Sequence, residues 1–201
     1  MIRIPLLALA FWFLLHTSIK AQTISIGPTL GANFSTINDI NNSKNLTGIT
    51  AGAFGNYSVN EHLGITLKLL FSQLGVSTEN PASTTRLNYF QIPLTGVYYF
   101  GQSGNKIRPK IYAGPYLGFL LDAKDKDGNP IINSIGASVF NKTDIGALMG
   151  VGLNYLLTSR TWLNVDIGYA RSLIKIRDIS TPSYKNSCLQ FAVGVSFPLS
   201  R

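Results

Sequence analysis

Most of this chain alternates, residue by residue, between apolar and small polar side chains, and that period of two constrains its fold more than any other feature. Successive side chains of a β-strand point to opposite faces, whereas a helix repeats every 3.6 residues. In the first such segment Ile24, Ile26, Pro28, Leu30, Ala32 and Phe34 share one face, and Thr23, Ser25, Gly27, Thr29, Gly31 and Asn33 share the other. A second segment sets Ile49, Ala51, Ala53, Tyr57 and Val59 against Gly48, Thr50, Gly52, Asn56 and Ser58. The last sets Leu189, Phe191, Val193, Val195, Phe197 and Leu199 against Gln190, Ala192, Gly194 and Ser196. Carried along the chain, the pattern predicts strands at roughly 23–34, 47–59, 63–77, 87–100, 108–121, 143–157, 162–175 and 187–199. The connections at 60–62, 101–107 and 158–161 are short, while those at 35–46, 78–86, 122–142 and 176–186 are longer and polar.

Alternation alone does not say which face is buried. The composition of the polar face does. Charged residues are 13% of the chain, against about 25% in a soluble domain. Their place is taken by Gly, Ser, Thr and Asn, side chains that suit the narrow interior of an eight-stranded barrel better than a solvated surface. On the apolar face a mid-bilayer charge would cost about 2–4 kcal/mol, and none is found there. Lys68, Lys110 and Asp166 fall on the polar register, and Arg171 falls on the apolar register only near a strand end. Aromatic residues gather near both strand ends, Tyr57, Tyr98, Tyr99, Phe100, Tyr155 and Trp162 by the short turns and Phe34, Phe71, Tyr89, Phe90, Phe119 and Tyr169 by the long loops, as interfacial girdles do. The expected fold is therefore all-β: an eight-stranded antiparallel up-and-down transmembrane β-barrel, apolar face to lipid, with the termini and short turns in the periplasm. A soluble periplasmic β-barrel that binds a ligand inside shares the same period and is the alternative.

Residues 1–21 read as a signal peptide. Arg3 gives a positive start, Ile4 to Leu15 is an uncharged apolar run too short for a spanning helix, and Ala21 offers a small residue for cleavage. Residues 22–201 then form the barrel domain. Retained, the leader would be an anchor; either way the chain leaves the cytoplasm. The formal net charge is +8, but the cations are scattered rather than clustered as nucleic-acid binding requires. They suit anionic lipid and lipopolysaccharide headgroups instead. Cys188 is the only cysteine and reads as a small apolar strand residue.

Several segment texts resemble the bacterial outer-membrane β-barrel domain proteins of the "porin family". Gly31-Ala-Asn-Phe-Ser35 is similar to the opening strand of that family, and Tyr89-Phe-Gln-Ile-Pro-Leu94 with Tyr98-Tyr-Phe100 to its central strand. Ala113-Gly-Pro-Tyr116, Asp144-Ile-Gly146, Gly150-Val-Gly152 and Ile167-Gly-Tyr169 resemble later strands. The resemblance implies an OmpA/OmpX-like small barrel, residence in the cell outer membrane, and insertion by the outer-membrane barrel assembly machinery. One departure is the ending: Phe197 is followed by Pro198-Leu-Ser-Arg201, where such barrels end on an aromatic assembly signal.

Enzymatic chemistry finds little footing. Acyl transfer or proteolysis at a barrel rim needs a base with an orienting carboxylate, yet His16 lies in the leader and His62 in a short turn. No metal or cofactor is expected: Asp122, Asp125 and Asp127 are interleaved with Lys124 and Lys126 and lack a calcium loop's terminal Glu. The candidate site is a polar network inside the barrel. Lys68 and Asp166 sit on the third and seventh strands at similar depth, where they could pair across the lumen, or instead meet Tyr112, Tyr116 and Asn154 separately. The expected function is a non-enzymatic, monomeric barrel that presents surface loops or supports the envelope. The alternative is a narrow diffusion channel, although eight strands leave little lumen.

Overall fold

The computed structural model describes residues 23–38, 40, 42–79, 82–102, 104–132, 138–177 and 184–199; the leader expected at 1–21 lies outside them. Eight strands run in chain order: β1 Thr23–Ile37, β2 Ser43–Ser58, β3 Leu63–Glu79, β4 Ala82–Tyr99, β5 Ile107–Lys124, β6 Thr143–Thr158, β7 Thr161–Ser172 and β8 Asn186–Pro198. Each pairs antiparallel with its neighbours in sequence, and β1 pairs with β8 to close the barrel. Closure leaves no sheet edge, which hydrocarbon demands because it offers unpaired backbone groups no water.

The alternation points as the composition argued. Leu30, Leu67, Leu69, Ile111, Met149, Val151, Phe191 and Val193 lie exposed on the outside. Asn33, Thr50, Thr66, Ser72, Thr95, Asn164 and Ser196 are buried within. A chain folded this way is inside-out relative to a soluble domain, and the outer surface is the one lipid would solvate.

Strand extents depart from the sequence expectation on one side. The stretch 78–86, read as a long loop, is mostly ladder: Ser77 pairs with Thr84 and Thr78 with Ser83, leaving only residues 80–81 between β3 and β4. β1 and β2 likewise extend toward one another. Above the lipid both faces of a strand are wet, so the apolar alternation fades while Ser and Thr continue to pair. Conversely β7 stops at Ser172, and residues 173–174 peel off with both amides donating to the Ile145 carbonyl. The aromatic girdles also need correction. Tyr89 and Tyr99 are buried inside, and Trp162 shares the inward register of Asn164 and Asp166. Nearness to a strand end does not override strand parity: Tyr98 and Phe100 face out, and Tyr99 between them faces in.

Candidate functional site

The interior is layered. At mid-height Lys68 of β3 and Lys110 of β5 converge on Asp166 of β7, with Nζ 3.0 Å from Oδ2 and 2.7 Å from Oδ1 respectively. All three are buried, at 7%, 8% and 8% exposure. The local sequence explains how Lys110 reaches so far. Lys110, Gly152 and Asp166 stand in one row across β5, β6 and β7. A Cβ on Gly152 would lie 2.4 Å from Asp166 Oδ1 and 2.7 Å from the Lys110 Cε, so the glycine is the gap through which the pair closes. Asn164 accepts from Lys110 Nζ at 3.5 Å and donates to Ser196 at 3.0 Å. A buried ion pair is sustained only when such extra bonds satisfy its remaining atoms.

Of the residues expected to join this network, Tyr112 lies against it, its ring 5.6 Å from Lys68 Nζ. Tyr116 belongs to a different layer nearer the loop end. There its hydroxyl donates to Asp144 Oδ2 at 3.2 Å, alongside Ser172 at 2.9 Å and Asn186 at 3.2 Å. Three donors meet one oxygen of the fully buried Asp144 carboxyl group, while its Oδ1 has no hydrogen-bond partner among the described residues. Asn154 lies toward the opposite, turn end, lining a vestibule of about 380 Å³ with Asn56, Ser58, Tyr99, Arg108 and Trp162. The sequence reading had Lys110 on the right face but did not include it in the network, and it passed over Asp144, Ser172 and Asn186. The usable signal was the spacing of Gly146, Gly150 and Gly152 on β6. Those glycines mark where Tyr116, Tyr112 and Lys110 of β5 lie across the sheet.

The central layer leaves a cavity of only about 20 Å³, room for one water. Above it the loop end is sealed by a second, apolar layer of Ile37, Leu74, Val76, Leu87, Tyr89, Ala123, Ile176 and Cys188. Ile176 comes from the β7–β8 connection and is fully buried there, and Ile40, Ile131, Phe140 and Tyr184 pack down from the loops. The two ends thus differ: an apolar cork at the loop end, and a polar-lined cup at the turn end.

Other sequence candidates fall apart spatially. Asp122 accepts from Asn88 at 2.7 Å and pairs with Lys124, Asp125 caps its own loop, and Asp127 pairs with Lys126. Among the described residues no group of three His, Cys, Asp or Glu side chains could hold a metal ion. His62 stacks on Tyr98 and contacts the Tyr99 carbonyl at 3.0 Å, a turn-stabilising position.

Comparison with known proteins agrees with this architecture. The family model described as "Outer membrane protein beta-barrel domain" matches residues 20–178. No curated protein matches the chain. Among solved structures, Neisserial surface protein A superposes with a TM-score of 0.57 at 16% identity, covering 88% of this chain and 97% of that one. The outer membrane protein OprG from Pseudomonas aeruginosa gives 0.55 at 15% identity, covering 90% and 98%. E. coli outer membrane protein W gives 0.54 at 15% identity, covering 90% and 100%. At these identities the likeness is one of fold.

Proposed function

Starting from a chain that belongs to the outer-membrane protein β-barrel domain family and resides in the cell outer membrane, we propose that it is a non-enzymatic, monomeric barrel with a closed lumen, presenting its loops outward and bracing the envelope. In this reading the termini and the polar-lined cup face the periplasm, the cork faces out, and lipid with lipopolysaccharide surrounds the wall. The barrel assembly machinery inserts it. The observation that carries the reading is the double closure: an ion triad with space for about one water, then an apolar layer above it. A post with two closures is suited to holding loops at fixed spacing and ill suited to passing solutes. Planar-bilayer recording of the purified protein tests it. The expected result is a silent membrane at voltages that leave it intact, alongside heat-modifiable gel mobility that reports a folded barrel. Reproducible stepwise openings would overturn the closed-post reading in favour of a narrow diffusion channel.

A further inference from the structure

The central layer does not balance its own charge. Lys68 and Lys110 bring two ammonium groups to the single carboxylate of Asp166. Among the described residues no salt bridge joins either lysine to a second acid. The other buried acid among them, Asp144, lies in the next layer, where Tyr116, Ser172 and Asn186 donate to it. One positive charge is therefore left over where no ionic side chain is more than 8% exposed. A buried charge without a counter-charge is costly. The neutral groups nearby offset little of it: Asn164 Oδ1 lies 3.5 Å from Lys110 Nζ, and the Tyr112 ring 5.6 Å from Lys68 Nζ. A single Lys–Asp pair would close the same space with no surplus.

The space beside the triad has the size of one small guest. Its volume of about 20 Å³ admits a single water-sized occupant. Phe54, Asn56, Tyr99 and Asn164 line both this cavity and the turn-end cup, so the two adjoin. Within the cup Arg108 is held with its guanidinium 4.8 Å from the centroid of the Tyr99 ring, donating to the Glu61 carbonyl. The acid of the cup wall, Glu61, stands at the exposed rim with Asn60. From the cup inward the ionic groups are thus Arg108, then the lysine pair with Asp166. On the far side the apolar cork follows.

We propose that the barrel centre is a binding site for one small monovalent anion, a halide, held against the Lys68 and Lys110 ammonium groups and entering from the cup. Such an ion cancels the surplus charge within a water-sized space, and its contacts to two ammonium groups are charge-assisted. A phosphate or an organic carboxylate needs more room than the cavity has. With the cork beyond it, the site retains its ion and does not pass it on.

The test unfolds the full-length protein with urea from phosphatidylcholine vesicles, in sodium chloride or sodium gluconate at equal ionic strength. Gluconate matches the screening of chloride but is too bulky for the cavity. Above the dissociation constant, a tenfold rise in chloride should raise the folding constant of wild type about tenfold relative to gluconate, by mass action on one site. Lys68→Met and Lys110→Met each leave one neutral pair with Asp166, and each should lose that chloride dependence. Lys44→Gln at the exposed loop end should keep it. General salt effects on burial are shared by all variants and cancel in this comparison. Heat-modifiable mobility certifies folding. If neither methionine variant folds, wild-type crystals soaked in bromide decide, with an anomalous peak expected beside the two lysine Nζ atoms. Absence of that peak overturns the proposal. So does equal stabilisation of wild type by gluconate, or a chloride dependence that survives in both methionine variants. Conductance bears on the closed-lumen reading alone, so the two ideas fail separately.

Discussion

The two closures of the lumen solve one problem with opposite chemistry. At mid-height three ionic side chains reach inward from β3, β5 and β7 and hold one another. At the loop end eight buried apolar residues do the closing, one of them borrowed from a connection. The ion triad is directional and depends on every member, because an uncompensated buried charge is penalised heavily. The cork is non-directional, so its stability is spread over many contacts and no single loss is decisive. The polar closure borders a polar-lined cup, whereas the apolar layer is flanked by loops that pack down on it.

That contrast predicts a ranked response to substitution. Asp166→Asn removes the one anion between two buried lysines and should destabilise the barrel by about 3–5 kcal/mol, measured by urea unfolding from lipid vesicles. Simultaneous Lys68→Met, Lys110→Met and Asp166→Leu should regain most of that loss; a further loss instead would show that the ions themselves stabilise the centre. Ile176→Ala empties one position of the cork and should cost about 2–4 kcal/mol. The bilayer should stay silent, because the triad below still bars the lumen. Conduction by this variant alone would mean that the centre is no seal. Gly152→Ala forces a methyl into the Lys110–Asp166 contact and should cost about 1–3 kcal/mol, while Gly55→Ala, facing open space apart from Ile26 at 3.9 Å, should cost far less.

The smallest effect lies outside the lumen, in the β5–β6 connection. Hydrogen bonds from the Asn129 backbone, with others from the Asn129 side chain and the Asp127 and Gly128 backbone, hold the exposed Asp125 carboxyl below its ordinary value. A depressed carboxyl stabilises its loop above the unfolded-state value, and that contribution is lost as pH falls through the lowered one. Amide exchange at Asp127 and Asn129 should therefore accelerate only in strongly acid buffer, with the ladder amides of β5 unaffected. Acceleration already near neutral pH would contradict the cap.

Much of the membrane wall was legible beforehand because parity and polarity are local. Leu30, Ile111 and Phe191 declare their face by their neighbours two residues away. The opposite register of Lys68, Lys110 and Asp166 was equally plain. Legibility stopped wherever the lipid no longer imposed a pattern. The paired Ser77–Thr84 ladder looked like loop, Ile174 looked like continuing strand, and Ile176, expected in a polar connection, turns inward to the cork.

By itself, then, the sequence determined a closed antiparallel barrel with eight inside-out strands, since a bilayer accepts apolar side chains outward and satisfied backbone throughout. Only the tertiary structure decided which interior groups meet. Lys110 reaches Asp166 because Gly152 stands between them, Tyr116 turns instead to Asp144, and Ile176 returns from a loop to fill the mouth. Those meetings depend on the barrel's stagger and join residues far apart in sequence, Tyr116 and Asp144 being 28 apart, and no periodicity of two carries that information.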